Sequence, residues 1–285
     1  MSTQLHLPAG TSGSAGTGVH VTAESAGWAY SGLSVITLGR GEDRVIATGD
    51  SEMAVLPLGG SCTVEVGSQS FGIDGRDGVF SGIAGFAYVP LDEEMRVSSR
   101  DGAEVALCAA RARRRIDPYV VRAADIPVEV RGGGVVTRQI NNFLSADMFE
   151  ADRLIAVEVI TPEGSWSSYP PHKHDEFSDD EVELEEIYYF QIDGDAGIGL
   201  FSCYTSDGAI DDTVTVRDGD VYLVPRGYHG PAAATPGHHM YYLNVMAGPA
   251  EERVWKFCDD PDHAWARPVI DDQPPDPRLP LTTAA

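Results

Sequence analysis

Apolar residues in this chain come in short runs separated by turn residues, with almost no recurrence at helical spacing. Segments 33–38, 50–56, 61–66 and 85–90 are brief, rich in β-branched and apolar side chains, and bounded by Gly, Asp or Pro. Such residues fit a pleated, half-buried surface, and the bounding residues supply turns. After an interruption the pattern resumes at 154–160, 186–191, 213–216, 220–224 and 240–245. Many short strands at even spacing predict an all-β sandwich or barrel. The clearest helical signal is 249–257, which opens on Pro249 with Glu251 and Glu252 in the first turn, as helix starts prefer.

The interruption spans 111–134 and holds Arg111, Arg113, Arg114, Arg115, two prolines and the triplet Gly132, Gly133, Gly134. It divides the chain into an N-terminal β-domain over 19–120 and a C-terminal one over 121–270. Residues 1–18, rich in Gly, Ser and Thr, are expected to form a flexible arm, and the Pro-rich tail 271–285 to hug the surface or fray.

Charge narrows the function. Twenty basic residues stand against 44 acidic ones, a net charge of −24. Such a surface repels phosphate backbones and anionic lipid, so nucleic acid and membrane are not expected partners. The basic cluster at 111–115 is too small to reverse that field and reads as a solvated connector. No apolar stretch has the length of a membrane span, and the first residues lack the basic-then-apolar pattern of a secretion signal. Four scattered cysteines without a CxxC pair read as reduced thiols. A cytoplasmic protein is expected.

The histidines are unevenly placed. There are eight, and none lies between residues 21 and 171. If the halves share a fold, only the C-terminal half can carry an imidazole metal site. His172 and His174 are one residue apart, so on a strand both enter the same space and Lys173 points the other way. Glu186 opens the apolar strand that also carries Tyr188, and His229 follows a strand that ends in a Pro-containing turn. Three imidazoles and a carboxylate suit one divalent cation: Zn or Mn first, with Fe and Ni also accepted by such donors. Glu185 and Glu181 remain rival carboxylates, because the acidic stretch 175–185 separates His174 from Glu186. That stretch is expected to form a loop over the barrel mouth.

His172-Lys-His174, Glu186 and the run from Gly219 through Pro225 and Gly227 to His229 resemble the two cupin motifs, with a longer first spacing than usual. Four stretches in order resemble the 5-deoxy-glucuronate isomerase family of bacterial myo-inositol catabolism. These are Tyr169-Pro-Pro-His-Lys-His-Asp175, Leu184-Glu-Glu-Ile-Tyr-Tyr-Phe190, Val224-Pro-Arg-Gly-Tyr-His-Gly-Pro231 and Tyr241-Tyr-Leu-Asn-Val-Met-Ala-Gly248. The resemblance implies two cupin jelly-roll barrels in one chain. The first is expected to be metal-free, since Leu91 and Asp92 follow its Gly85…Pro90 turn.

It also implies an aldose–ketose isomerisation of 5-deoxy-D-glucuronate to 5-dehydro-2-deoxy-D-gluconate, with a small anionic sugar acid as the ligand. Arg226, Arg138 and Lys173 are the cations expected to offset the acidic field at the substrate carboxylate, with alternation turning Lys173 away. Tyr188 and Tyr242 are candidate hydrogen-bond donors, and Glu186 and Tyr242 the candidate catalytic pair. An acidic group of 175–186 and a metal-bound hydroxide stay open as alternative bases. Rival readings are the related uronate ketol-isomerase of pectin breakdown, a cupin Fe(II) dioxygenase and a sugar-binding bicupin. Exposed sheet edges favour a homodimer or higher homo-oligomer.

Overall fold

The computed structural model describes residues 4–13 and 17–284. It is nearly all β: the α-helices among the described residues are the short Ala23–Ala26 and Ala266–Asp271. Strands between Thr17 and Val121 form one nine-stranded sheet. Its longest strand, Ser51–Val66, pairs first with Phe86–Val89 and Ala103–Arg111, then with Gln69–Arg76 and Glu94–Ser98. The change of partners occurs at a register shift beside Gly60, whose φ is +74°. A Cβ there would lie 2.3 Å from the Gly102 carbonyl oxygen, so the bend requires glycine. The sheet curls around Ile36, Val55, Val64, Val97 and Val105.

The C-terminal half folds as a six-stranded antiparallel sheet and a seven-stranded one, with His6–Leu7 from the start of the chain as one of its edge strands. The seven-stranded sheet is two-sided. Ile187, Tyr189 and Leu243 pack with Phe143 against Leu33, Leu56 and Phe86 of the N-terminal sheet, forming one continuous core. The alternate residues Tyr188, Phe190 and Tyr242 face Phe201 and Ala232 of the six-stranded sheet, inside the second barrel. Period-two alternation therefore assigns each strand one face to the interface between halves and one to the site.

Two expectations are corrected and a third, for the tail, is narrowed to one of its alternatives. The first residues are not a loose arm throughout: His6–Leu7 pairs with Val221 and Tyr222, and Leu5 and Leu7 pack on the core. Asp220 pins them by accepting from Ala9 N at 2.8 Å and lying 2.9 Å from His6 Nε2. A two-residue strand is too short to register as a pattern; residues 1–3 and 14–16 lie outside the described residues.

Nor is 249–257 helical. The Arg253 guanidinium donates to the carbonyls of Leu144, Ser145, Phe149 and Leu154 at 2.7–2.9 Å, and these tertiary bonds override the local helix signal. The tail after 271 does not fray up to residue 284. Thr282 is buried, its Oγ1 accepts from Gln139 Nε2 at 2.8 Å, and the Thr283 carbonyl accepts from Ile83 N.

Candidate metal centre and substrate pocket

His172–Lys173 is a two-residue strand lying directly opposite His229 on Tyr228–Ala234. His174 follows, bridged to the strand Glu185–Ile192 by Leu184 N donating to its carbonyl at 2.9 Å. Glu186 sits two residues beyond Leu184 and points into the same barrel as Tyr188. Ligand atoms of His174, Glu186 and His229 lie within 4.8 Å of one another, all three side chains being buried. His172 stands beside this trio rather than in it. Its ring centroid is 4.5 Å from that of His229, and it lines the adjoining pocket.

Each imidazole is oriented by the backbone. Nδ1 of His174 is 3.0 Å from the Leu184 carbonyl, that of His229 is 3.2 Å from Gly227, and that of His172 is 3.3 Å from Pro170. A ring whose Nδ1–H donates to a carbonyl presents the lone pair of Nε2 on its other edge. Glu186 Oε2 lies 2.9 Å from His174 Nε2 and 3.0 Å from His229 Nε2. The latter nitrogen is fully buried and makes no well-formed hydrogen bond. Inward lone pairs crowded on a carboxylate oxygen repel unless a positive charge sits among them. Burial opposes ionisation of Glu186, yet the neighbouring imidazoles hold its carboxyl well below the ordinary range. Two imidazole nitrogens and a carboxylate oxygen in this arrangement fit a divalent cation.

The two rival carboxylates are committed elsewhere. Glu185 faces the N-terminal half and accepts from the backbone N–H groups of Ala29, Tyr30 and Ser31 at 2.6–2.8 Å. Glu181 is buried against Lys173 Nζ at 2.9 Å and accepts from Asp175 N and Glu176 N. It thereby folds the acidic 175–185 stretch back onto the outer side of the His172–Lys173 strand.

Beside the cluster is a pocket bordered by His172, Glu186, Tyr188 and Tyr242 on one side and Arg138, Asn244 and Trp255 on another. Arg138 makes no ion pair among the described residues; its one hydrogen bond is a long 3.5 Å contact to the Val136 carbonyl. Burial pushes its pKa down to about 10, with Arg131 and Arg267 adding to the effect. Those two arginines also border the pocket, but each is matched by a carboxylate, Glu129 and Asp259 respectively.

Two expected cations fall away from the pocket. Lys173 is turned outward, as alternation requires, and is spent on Asp175 and Glu181. Arg226 is half exposed and paired with Asp207 at 3.2 Å. Tyr188 and Tyr242 are both buried at the pocket, where burial raises their phenol pKa values and keeps them protonated.

Several pocket residues escaped the sequence reading. Asn244 is a polar residue on the inward register of Met240–Ala247, directly opposite Tyr188, and alternation from Tyr242 would have found it. Its Nδ2 and the Trp255 Nε1 are buried without a well-formed hydrogen bond. Trp255 was hidden by the mistaken helix. Ser168 and Arg267 carry no local signal.

Comparison with known proteins agrees with this architecture. The KduI/IolB family profile matches residues 6–266. The chain belongs to the KduI/IolB family. It is 43% identical over 250 residues to the 5-deoxy-glucuronate isomerase of Geobacillus thermodenitrificans, covering 87% of this chain and 90% of that protein. Among solved structures it resembles an IolB-like protein from Salmonella typhimurium, with a TM-score of 0.86 and 34% identity. That match covers 92% of this chain and 98% of the other. The Lactobacillus farciminis oxalate decarboxylase superposes with a TM-score of 0.65 at 12% identity, over 97% and 98% of the two chains. That likeness concerns the fold alone, which is the all-β, double-barrel cupin architecture. No helix among the described residues is long and apolar enough to cross a membrane.

Proposed function

We propose that this KduI/IolB-family chain is a metal-dependent aldose–ketose isomerase that converts 5-deoxy-D-glucuronate to 5-dehydro-2-deoxy-D-gluconate in inositol catabolism. One observation carries the reading: a cluster of two imidazoles and a carboxylate adjoins, through Glu186, the pocket that holds Arg138, a cation without a carboxylate partner among the described residues. A sugar acid supplies the missing carboxylate and, at its other end, the carbonyl and hydroxyl oxygens that react. The names of relatives at about 36–43% identity point to the same substrate.

His174, Glu186 and His229 would hold one divalent cation, Zn or Mn first, with His172 completing the set from its neighbouring position. When bound, the cation stabilises negative charge developing on the C1 and C2 oxygens. Arg138 anchors the substrate carboxylate through charge-assisted hydrogen bonds. Glu186 meets both imidazoles through Oε2, so its other oxygen, Oε1, is the one assigned to take the C2 proton and return it to C1. Neutral Tyr242 donates to a substrate oxygen, while Tyr188 and Phe257, which also border the pocket, exclude water. Asn244 Nδ2 and Trp255 Nε1 offer donors to sugar hydroxyls.

The four free thiols fit a reducing cytoplasm. The edge strands Val128–Arg131 and Asp211–Val216 are surfaces on which copies could pair into a homo-oligomer. The test is to incubate metal-replete protein with 5-deoxy-glucuronate in deuterated water and follow the ketose by NMR. Ketose formation with deuterium at C1 supports the proposal. Oxygen uptake without isomerisation would replace it with a dioxygenase.

A further inference from the structure

One residue of the pocket wall is held against its backbone preference. Ser168 has a φ of +49° and is 8% exposed. L-residues with a side chain avoid this left-handed region, whereas glycine adopts it freely. Gly230 packs directly on it: a Cβ at Gly230 would lie 1.9 Å from the Ser168 carbonyl oxygen and 2.9 Å from its Cβ. A glycine at 168 would satisfy the chain path without strain, so the serine is there for its hydroxyl. That hydroxyl lies 3.1 Å from the Tyr242 hydroxyl and 3.4 Å from that of Tyr188, and all three residues border the pocket. Strained residues whose conformation is enforced by their surroundings concentrate at working sites.

The chemistry asks for such a group. Turning an aldose into a ketose moves two protons: one from C2 to C1, and one from the C2 hydroxyl to the C1 oxygen. The second transfer needs groups that donate and accept at once. Arg138, the Asn244 amide nitrogen and the Trp255 indole only donate, whereas hydroxyls do both.

We propose that Ser168 and Tyr242 form a neutral hydroxyl relay that carries the O2 proton to O1. The inference rests on the isomerase reading and assigns a step within it. As the C2 proton leaves, its bonding pair becomes the C1–C2 double bond, and the C1 carbonyl pair takes a proton from one relay hydroxyl to form O1–H. The O2–H pair then closes to the C2 carbonyl as the O2 proton goes to the other relay hydroxyl, that hydroxyl passes its own proton to the first across their 3.1 Å contact, and the C1–C2 pair takes the carbon-bound proton at C1. Each relay hydroxyl ends with one proton, and no outside acid, base or oxidant is consumed.

The test compares wild type, Ser168→Gly and Tyr242→Phe, each loaded with metal and assayed with 5-deoxy-glucuronate in mixtures of H2O and D2O. Ser168→Gly removes the hydroxyl and accepts the same φ. The expected result is a kcat lower by roughly 10²-fold, with KM, bound metal and thermal midpoint unchanged. The wild-type dependence of kcat on D2O fraction should be curved, since several exchangeable protons move together, and linear in the variant. The double variant should be no worse than either single one, because the two hydroxyls act as a unit. Wild-type kcat in Ser168→Gly would overturn the relay while leaving the isomerase intact, as would a loss explained by reduced metal content or a lower midpoint. A wild type that isomerises no uronate would remove both the relay and the reading beneath it.

Discussion

Glu185 and Glu186 are adjacent in the chain and serve opposite faces of one sheet. The Glu186 carboxylate meets His174 and His229 inside the barrel, and the Glu185 carboxylate accepts three backbone N–H groups from residues 29–31 of the N-terminal half. The peptide that ties the halves together is therefore the one that places the carboxylate of the metal cluster. Glu185→Ala leaves three donors without an acceptor and should cost at least about 2 kcal/mol of stability. Metal retention should persist in the folded fraction. Thermal denaturation alongside metal analysis reads both, and an unchanged midpoint would show that the contact carries no docking energy.

Substitution within the trio should have the reverse signature. His174→Ala and His229→Ala are expected to purify with little metal and to lose turnover. Wild type should gain about 2.7 kcal/mol when the cation is present at 100 times its Kd. Burial disfavours charge on His174, but Glu186 raises its pKa above the ordinary imidazole value, so protons compete with the cation there and the gain fades as pH falls through a range above that value. Calorimetric scans with and without added cation at several pH values check the sign.

Arg138→Ala should raise KM for the uronate by roughly 10- to 100-fold, the equivalent of losing one charge-assisted hydrogen-bonded pair. Lys173 and Arg226 have carboxylate partners of their own, so Arg226→Ala should leave KM near the wild-type value. If Arg226→Ala weakened binding and Arg138→Ala did not, the carboxylate anchor would have been misassigned. Steady-state kinetics on the three proteins decides it.

Arg76 reaches from the N-terminal half to Glu158 on the sheet that carries the site, and both side chains are almost wholly buried. Tyr241 and Asn141 also donate to that carboxylate, at 2.9 and 3.1 Å. Removing one partner of a buried pair strands the other charge, so Arg76→Met should cost about 3–5 kcal/mol. The double change Arg76→Met with Glu158→Gln should recover part of the loss. Chemical denaturation of Arg76→Met, Glu158→Gln and the double variant measures the coupling.

The site was legible where alternation and motif spacing coincide. His172, Glu186 and His229 sit on strands and His174 directly after one, and Lys173, between the two imidazoles, points outward by the same alternation. The choice of Glu186 over Glu185 follows the same parity, since 186, 188 and 190 share the barrel face. Arg138 and Arg226 were equal candidates in sequence, because nothing local says that Asp207 waits for one and no carboxylate for the other.

The amino-acid sequence by itself determined an all-β chain in two halves with no histidine from 21 to 171 and the His172, His174 and His229 imidazoles in the second half, since period-two patterning, turn residues and histidine positions are local properties. Tertiary structure alone decided that 249–257 is not helical, that Leu5 and Leu7 join a distant sheet, and that Ser168, Asn244 and Trp255 border one pocket. Those outcomes depend on partners a hundred or more residues away in several cases, and a free-energy contribution from such a partner leaves no mark on the neighbouring sequence.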